Sequence, residues 1–299
     1  MTSPNSAPAK LKGVPPSQVE RLSFIEARLF FLGELQRADV AKRFSGASIQ
    51  ASRDLAVYKD LAPDNLNYDF QAKRYLPGEN FKMVFSYTPE RVMNWLKSGL
   101  GDGLPHPQGL QTAAVESLSP PRLGELAVVT RAIYRKHVLA VTYVSLSSGR
   151  TSRQIVPHAL VDNGQRWHVR AYDRANARFS DFVITRISKA TVLDGDEPAE
   201  QERPEADEQW NRMVELTLVP HPQLAHKAPV EADYEMKNGT LSVSCRAAVA
   251  GYALRRWGVD CSRNLDLSAG EFQLALANRD VLRTISSAAL APGWRSHES

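Results

Sequence analysis

The chain has 299 residues, enough for about two domains or three small ones. With 43% hydrophobic and 23% charged residues it can bury sizeable cores, and 17 Gly with 18 Pro exclude a collagen-like or low-complexity chain. Its 37 basic and 33 acidic side chains leave a net charge of +4, which by itself names no polyanionic partner. No apolar run reaches the roughly 18 residues of a membrane span. The opening stretch MTSPNSAPAKLKGVPPS lacks the apolar core of a signal peptide, so a cytoplasmic location without membrane contact is expected. Cys245 and Cys261 make neither a disulfide framework nor a zinc site.

The charge is unevenly distributed. Residues 1–80 carry 11 basic and 9 acidic groups, and residues 81–121 carry 3 of each. Residues 122–194 hold 12 basic groups against 5 acidic ones, and the next stretch, GDEPAEQERPEADEQ over 195–209, holds seven acids and one Arg. A basic module closed by an acidic, Pro-containing run reads as a domain and its solvated linker.

Residues 1–17 read as a disordered arm. In QVERLSFIEARLFFLG, Val19, Leu22, Ile25, Leu29 and Leu32 form one apolar helical stripe, stopped by Gly33. A short helix follows in QRADVAKRF, then the break SGA, then a helix in SIQASRDLAVYKDL. On that helix Ala51, Leu55 and Tyr58 share one side, while Gln50, Arg53 and Val57 share another. After Pro63, NLNYDFQAKRYLP reads as two short extended runs around a polar turn. The order helix, helix, turn, helix, hairpin over residues 18–80 is that of a winged helix-turn-helix. A helix fits the major groove, where Gln reads adenine and Arg reads guanine by paired hydrogen bonds. Expected DNA contacts are Gln50, Ser52 and Arg53 to base edges, Lys59, Lys73, Arg74 and Tyr75 to phosphate or sugar, which fix register, and Ser48 besides. A plain helical domain with solvated cations remains the alternative.

Residues 81–121 read as a helical linker, with TPERVMNWLKS followed by a Gly- and Pro-rich seam. In residues 122–194, LGELAVVTRAIYRKH reads as a helix. Strand-like runs LAVTYVSL, RQIVPHALV, RWHVRAYD and FSDFVITRI follow, separated by SSGR and an Asn163-Gly164 turn. Such short strands suggest a small curled antiparallel sheet or barrel. Alternation puts Trp167 and Val169 on one face and His168 and Arg170 on the other. Tyr143, Ser145, Arg153, His158, His168, Arg170 and Arg186 are spread over these four separate strand-like runs. Cations converging on one face repel unless an anion sits among them, and guanidinium forks suit phosphate. Either they line an anion pocket, or they cover an exposed sheet face paired with Asp173 and Asp181. Residues 210–299 read as a small α+β module, with VELTLVP and GTLSVSCRAAV as strands and PQLAHKAPVEADY and GYALRRWGVD as helices. His221 and His226 do not share a helix face, and no metal site is expected.

The spacing F-x5-Q-A-S-x-D-L-x2-Y (Phe44 to Tyr58), APDNLNYDFQAKRYLP, RQIVPHAL, RWHVRAYD and ITRI together resemble the bacterial WYL-domain transcriptional regulators of the phage-defence-associated BrxR or CapW type. The resemblance covers most of residues 18–295. It implies an α+β chain made of a winged helix-turn-helix, a small Sm/SH3-like β-barrel (the WYL module) and a C-terminal α+β dimerisation module. The family tripeptide Trp-Tyr-Leu stands here as Trp167-His168-Val169, so Trp167 joins the ligand residues that the resemblance implies. The expected activity is a homodimeric repressor of a phage-defence operon on double-stranded DNA with an inverted repeat, switched by an anionic small-molecule or nucleic-acid effector. An activator, or a nucleic-acid sensor without promoter control, are the alternatives. No G-x-S-x-G, P-loop or H-E-x-x-H motif occurs, GLGDGL follows a helical stretch rather than a strand, and neither a reaction nor a cofactor is expected.

Overall fold

Helix α1 spans Pro16–Leu32 in the computed structural model, which describes residues 11, 13–44, 48–98 and 118–295. Pro16 suits the first turn, whose N–H groups lack helical acceptors. Gly33 ends the helix at φ 77°, its N–H donating to the Arg28 and Leu29 carbonyls. Leu22, Ile25 and Leu29 are buried as the stripe predicts, while Val19 packs partly buried beside them. Leu11 is buried and Val14 packs on the same core, so the end of the expected arm belongs to the first domain. Residues 1–10 lie outside the described residues.

Helix α2 (Arg37–Arg43) opens on a capping box in which the Asp39 carboxylate accepts from the Gln36 N–H at 2.8 Å. Helix α3 (Ser48–Leu61) packs on α1 and α2 through Ala51, Leu55 and Tyr58, the residues its periodicity selects. A 3-10 turn over Pro63–Asn65 leads to strands β1 (Asn67–Asp69) and β2 (Arg74–Leu76), paired antiparallel with Tyr68 opposite Tyr75. A bridge between Leu35 and Tyr75 ties this hairpin to the start of α2. Residues 81–98, expected as linker, instead complete this domain. Phe81, Val84 and Phe85 pack on its core, and helix α4 (Pro89–Ser98) buries Val92 and Met93. The Gly-rich seam after it, including GLGDGL, lies outside the described residues.

Helix α5 spans Leu123–Arg135, and the strands that follow are β3 (Leu139–Ser145), β4 (Gly149–Asp162), β5 (Trp167–Asp173), β6 (Arg178–Val183) and β7 (Ile187–Val192). The run FSDFVITRI is broken by a 3-10 turn at Ile184–Arg186, which the apolar pattern hides. Sheet order is β6-β5-β4-β3-β7. The chain forms two compact units, residues 1–157 with 184–197 and residues 158–183 with 198–299, and β4 contributes to both. Within the first unit α5 packs on α1, and the Thr130 hydroxyl donates to the Phe31 carbonyl at 2.6 Å.

In the second unit the acidic stretch is ordered rather than a solvated spacer. It forms 3-10 turns at Glu200–Glu202 and Pro204–Ala206 and a helical turn, α6, at Glu208–Asn211. Strand β8 (Met213–Pro220), helix α7 (Ala228–Asp233), strand β9 (Leu241–Arg246) and helix α8 (Ala247–Arg256) follow. Strands β10 (Val259–Asp260) and β11 (Leu274–Leu276) complete a sheet of order β10-β11-β8-β9. Helix α8 lies so close to Ser287 that a Cβ at Gly251 would stand 1.8 Å from the Ser287 carbonyl oxygen. The expected long helix in PQLAHKAPVEADY is confined to α7. Before it, the buried His221 ring meets Asp260 at 3.1 Å in a fully enclosed pair. No helix of the described residues is long and apolar enough to cross a membrane.

Candidate nucleic-acid interface

Helix α3 presents an outer face because its inner face is committed to the core. Tyr58 is fully buried, its hydroxyl donating to Glu26 at 2.9 Å and accepting from Asn65 at 3.0 Å. Asp54, also buried, accepts from Arg21 at 2.7 Å and from Gln18 and Gln50 at 3.1 Å each. The sequence places Gln50 among the base-reading residues. Its amide instead turns inward to Asp54, since a buried carboxylate is stabilised only by donors around it. Val57 likewise packs on the core.

The solvent side holds Ser48, Ile49, Arg53, Ala56 and Lys59. Ser52, half-buried there, donates to the Ser48 carbonyl at 3.1 Å and accepts from exposed Arg37 of α2 at 3.3 Å. Ile49 is 67% exposed one turn before Arg53, a placement that the sequence periodicity contains but that its apolar character disguises. An apolar side chain beside an Arg matches the thymine methyl and the guanine edge offered by the major groove.

The hairpin carries fewer free cations than its sequence suggests. Arg74 pairs with Glu34 and holds the wing to the α1 end rather than pointing at phosphate. Tyr75 is half-buried on the core, its ring 4.8 Å from that of Tyr68. Lys73 remains exposed at the turn, with φ 51°. The Asp69 Oδ1 accepts from the Gln71 and Ala72 N–H groups at 2.9 Å each, which fixes the turn.

The expected ligand residues fall in both units. In the first, Val141, Tyr143 and Ser145 of β3 lie opposite Arg153, Thr151 and Gly149 of β4, hence on one sheet face. Arg153 donates to the Thr151 hydroxyl at 3.2 Å, and Arg186 sits in the 3-10 turn before β7. In the second unit, His158 and Arg170 converge on Asp207 of the acidic stretch. The Arg170 Nε and Nη2 donate to Asp207 at 2.7 and 3.0 Å, and His158 Nε2 donates at 3.1 Å. Arg170 also donates to Asp181 at 3.2 Å, and the Tyr252 hydroxyl of α8 donates to the same carboxylate at 3.1 Å. The His168 ring lies 5.2 Å from Tyr252, while Trp167 is half-buried at the start of β5. Arg174 makes a two-pronged pair with buried Glu202, both bonds at 2.8 Å.

These pairings set the electrostatics. Burial alone raises the Asp207 pKa, but the His158 and Arg170 bonds outweigh it and hold the carboxyl at about 2. Burial also works against the Arg170 charge, and the Asp207 and Asp181 carboxylates overcome it and raise its pKa. The anion needed beside Arg170 is therefore supplied by the chain itself, and the same Asp207 carboxylate accepts from the His158 ring. No cluster of three or more metal-ligating side chains occurs among the described residues.

Three family models match the chain in order. They are the BrxR transcriptional regulator winged helix-turn-helix domain over residues 17–98, the WYL domain over 124–192, and the BrxR C-terminal dimerization domain over 213–282. A protein of Pseudomonas aeruginosa named DNA-binding transcriptional repressor CapW is 35% identical over 289 residues, covering 92% of this chain and 93% of its own. The chain belongs to the BrxR/CapW family of WYL-domain transcriptional regulators. CapW of Stenotrophomonas maltophilia is 35% identical over 84% of this chain and 87% of its own. CapW of Escherichia coli is 32% identical over 91% and 92%. The BrxR winged-helix match runs through residue 98, in agreement with the packing of residues 81–98 on the first core. Between the WYL and BrxR C-terminal matches lies the acidic stretch, whose Glu202 and Asp207 carry the pairings missed in the sequence.

Proposed function

We propose that this chain is a homodimeric DNA-binding repressor of a phage-defence operon, two copies placing α3 in successive major grooves of an inverted repeat. Half-sites would then be spaced by whole turns, about 34–36 Å each. The observation that carries this reading is the outer face of α3, where Arg53, Ile49 and Lys59 are exposed on a helix whose inner face is locked by Tyr58 and Asp54. The relatives named as DNA-binding repressors support it, as does the match to a dimerization domain. Ser48, Ser52, Arg53 and Ile49 would meet base edges, and Lys59, Lys73 and Arg37 would meet phosphate. Footprinting on the intergenic DNA upstream of its own gene, at several salt concentrations, tests the reading. Arg53→Ala is expected to cost about 1–3 kcal/mol and to relax preference at one base pair, whereas Lys73→Ala weakens all sequences alike and lowers the salt slope by about 1. An Arg53→Ala footprint of unchanged position and affinity would remove the recognition role from α3.

A second part of the proposal concerns the switch. Tyr143, Ser145 and Arg153 share one face of the first unit, on strands that follow α5, and α5 packs on α1 of the DNA-binding domain. A phosphate-bearing effector on that face, with Arg186 as a further donor, would bias DNA affinity by its different affinity for two states. Arg170, His158 and His168 would shape the WYL segment around Asp207 and Tyr252 instead of meeting the effector directly. Titration calorimetry with a 5′-phosphorylated dinucleotide is the probe. Binding lost at least tenfold in Arg153→Ala supports the site, and equal binding by the variant excludes it.

A further inference from the structure

The wing ends in an exposed aromatic ring that the fold gives no reason to leave in water. Phe70, at the start of the β1–β2 turn, is 83% exposed. Its ring stands edge-on to Tyr68 at 4.9 Å, and Tyr68 leans on Tyr75 at 4.8 Å, so three rings form a continuous prop from the core to the tip. The prop is stiff at both ends. At its base, Leu35 and Tyr75 exchange backbone bonds of 3.0 and 2.8 Å, and Arg74 pairs with Glu34. At its tip, Asp69 accepts from two turn amides, which fixes the backbone that carries Phe70.

We propose that Phe70 is a wedge that enters the minor groove of duplex DNA, partly parting one base step and bending the helix axis. The inference rests on the DNA-binding reading above and adds to it a mode of contact for the wing. An apolar wedge needs an apolar body, a rigid mount and nearby cations that hold the phosphates on either side. Phe70 supplies the first and the ring prop the second. Lys73, exposed in the same turn, supplies the third. The Asp69 carboxylate beside Phe70 keeps its charge, but its Oδ1 is held in the turn, where it accepts from the Gln71 and Ala72 N–H groups. A polypeptide partner would be served by a broad apolar patch, whereas a single projecting ring beside a cation suits the gap between two base pairs.

The test uses the full chain and a duplex that the full chain has enriched from a random-sequence pool. Bending is read from circularly permuted fragments, and unstacking from a fluorescent adenine analogue placed at steps across the site. The wild-type chain is expected to bend the duplex and to raise the fluorescence at one step per half-site. Phe70→Ala is expected to bind about tenfold more weakly and to lose both signals. Phe70→Leu, which keeps an apolar wedge, retains most of the bend. Arg53→Ala broadens the enriched sequence and leaves the bend of the remaining complex intact. A Phe70→Ala complex with unchanged bend and fluorescence overturns the wedge. So does a changed sedimentation of the free Phe70→Ala protein, which would assign the ring to a protein contact. A wild-type chain that enriches a sequence but leaves it straight overturns the wedge alone, while one that enriches none overturns the DNA-binding reading with it.

Discussion

Asp207→Ala destabilises the second unit by about 3–5 kcal/mol, because it leaves the Arg170 Nε and Nη2 and the His158 ring without their acceptor, Asp181 holding only Arg170 Nη1. Their side chains are 4% and 3% exposed and Asp207 is 1% exposed, so water cannot replace the lost partner. The Trp210 N–H, which donates to Asp207 at 3.1 Å, loses its cap as well. Equilibrium urea unfolding measures the loss, and a change under 1 kcal/mol would mean that the Asp207 pairings contribute nothing to the fold. The same carboxylate predicts an acid limb. Its folded pKa, about 2, lies below the ordinary value of 3.8, so its contribution is fully present above pH 4. It is lost as pH falls toward 2, and the shift corresponds to about 2 kcal/mol. Asp207→Asn is expected to flatten stability across that window, and an unaltered acid limb in that variant would remove Asp207 as its source.

Glu26→Ala is expected to cost the first unit about 3–5 kcal/mol and to abolish DNA binding with it. Glu26 is fully buried and accepts from the Tyr58 hydroxyl at 2.9 Å and from the Val84 and Phe85 N–H groups at 2.8 and 2.9 Å. One carboxylate therefore joins α1, α3 and the segment before α4, and Ala leaves three donors unpaired in the core. Hydrogen exchange reads the effect directly, since the Val84 and Phe85 amides should lose their protection. Retained protection at both would show that another acceptor holds them. The pH sign is opposite to that of Asp207. Burial dominates and raises the Glu26 pKa above 4.5, so the protonated form is favoured on folding. Its contribution is fully present below pH 4.5 and fades as pH rises through the raised value. Acidification therefore relieves a cost in the first unit while it weakens the second.

Local pattern carried much of the architecture. Leu22, Ile25 and Leu29 on α1, and Ala51, Leu55 and Tyr58 on α3, are buried because helical spacing of apolar residues selects one face whatever lies opposite. The hairpin, the strands and the outward direction of Arg53 follow from the same short-range rules, and the family resemblance rests on those same segments. The periodic reading failed where a polar group found a partner far along the chain or one turn away. Gln50 and Arg74 sit where a winged helix offers base and phosphate contacts, yet Asp54 and Glu34 take them inward.

This long-range pairing leaves the net charge of +4 as it is and decides instead which charges meet inside the fold. Composition by segment located the excess of Lys and Arg in residues 122–194 and the acids directly after them. The amino-acid sequence by itself therefore determined the helices of the DNA-binding segment, the wing, most of the central strands and the charge of each segment. Tertiary structure alone decided that Asp207 and Glu202 close on Arg170 and Arg174, across 37 and 28 residues, and that Glu26 binds amides 58 and 59 residues away. A buried charge is tolerated only beside its counter-charge, and which residue reaches it depends on how strands and turns converge, a matter no local spacing encodes.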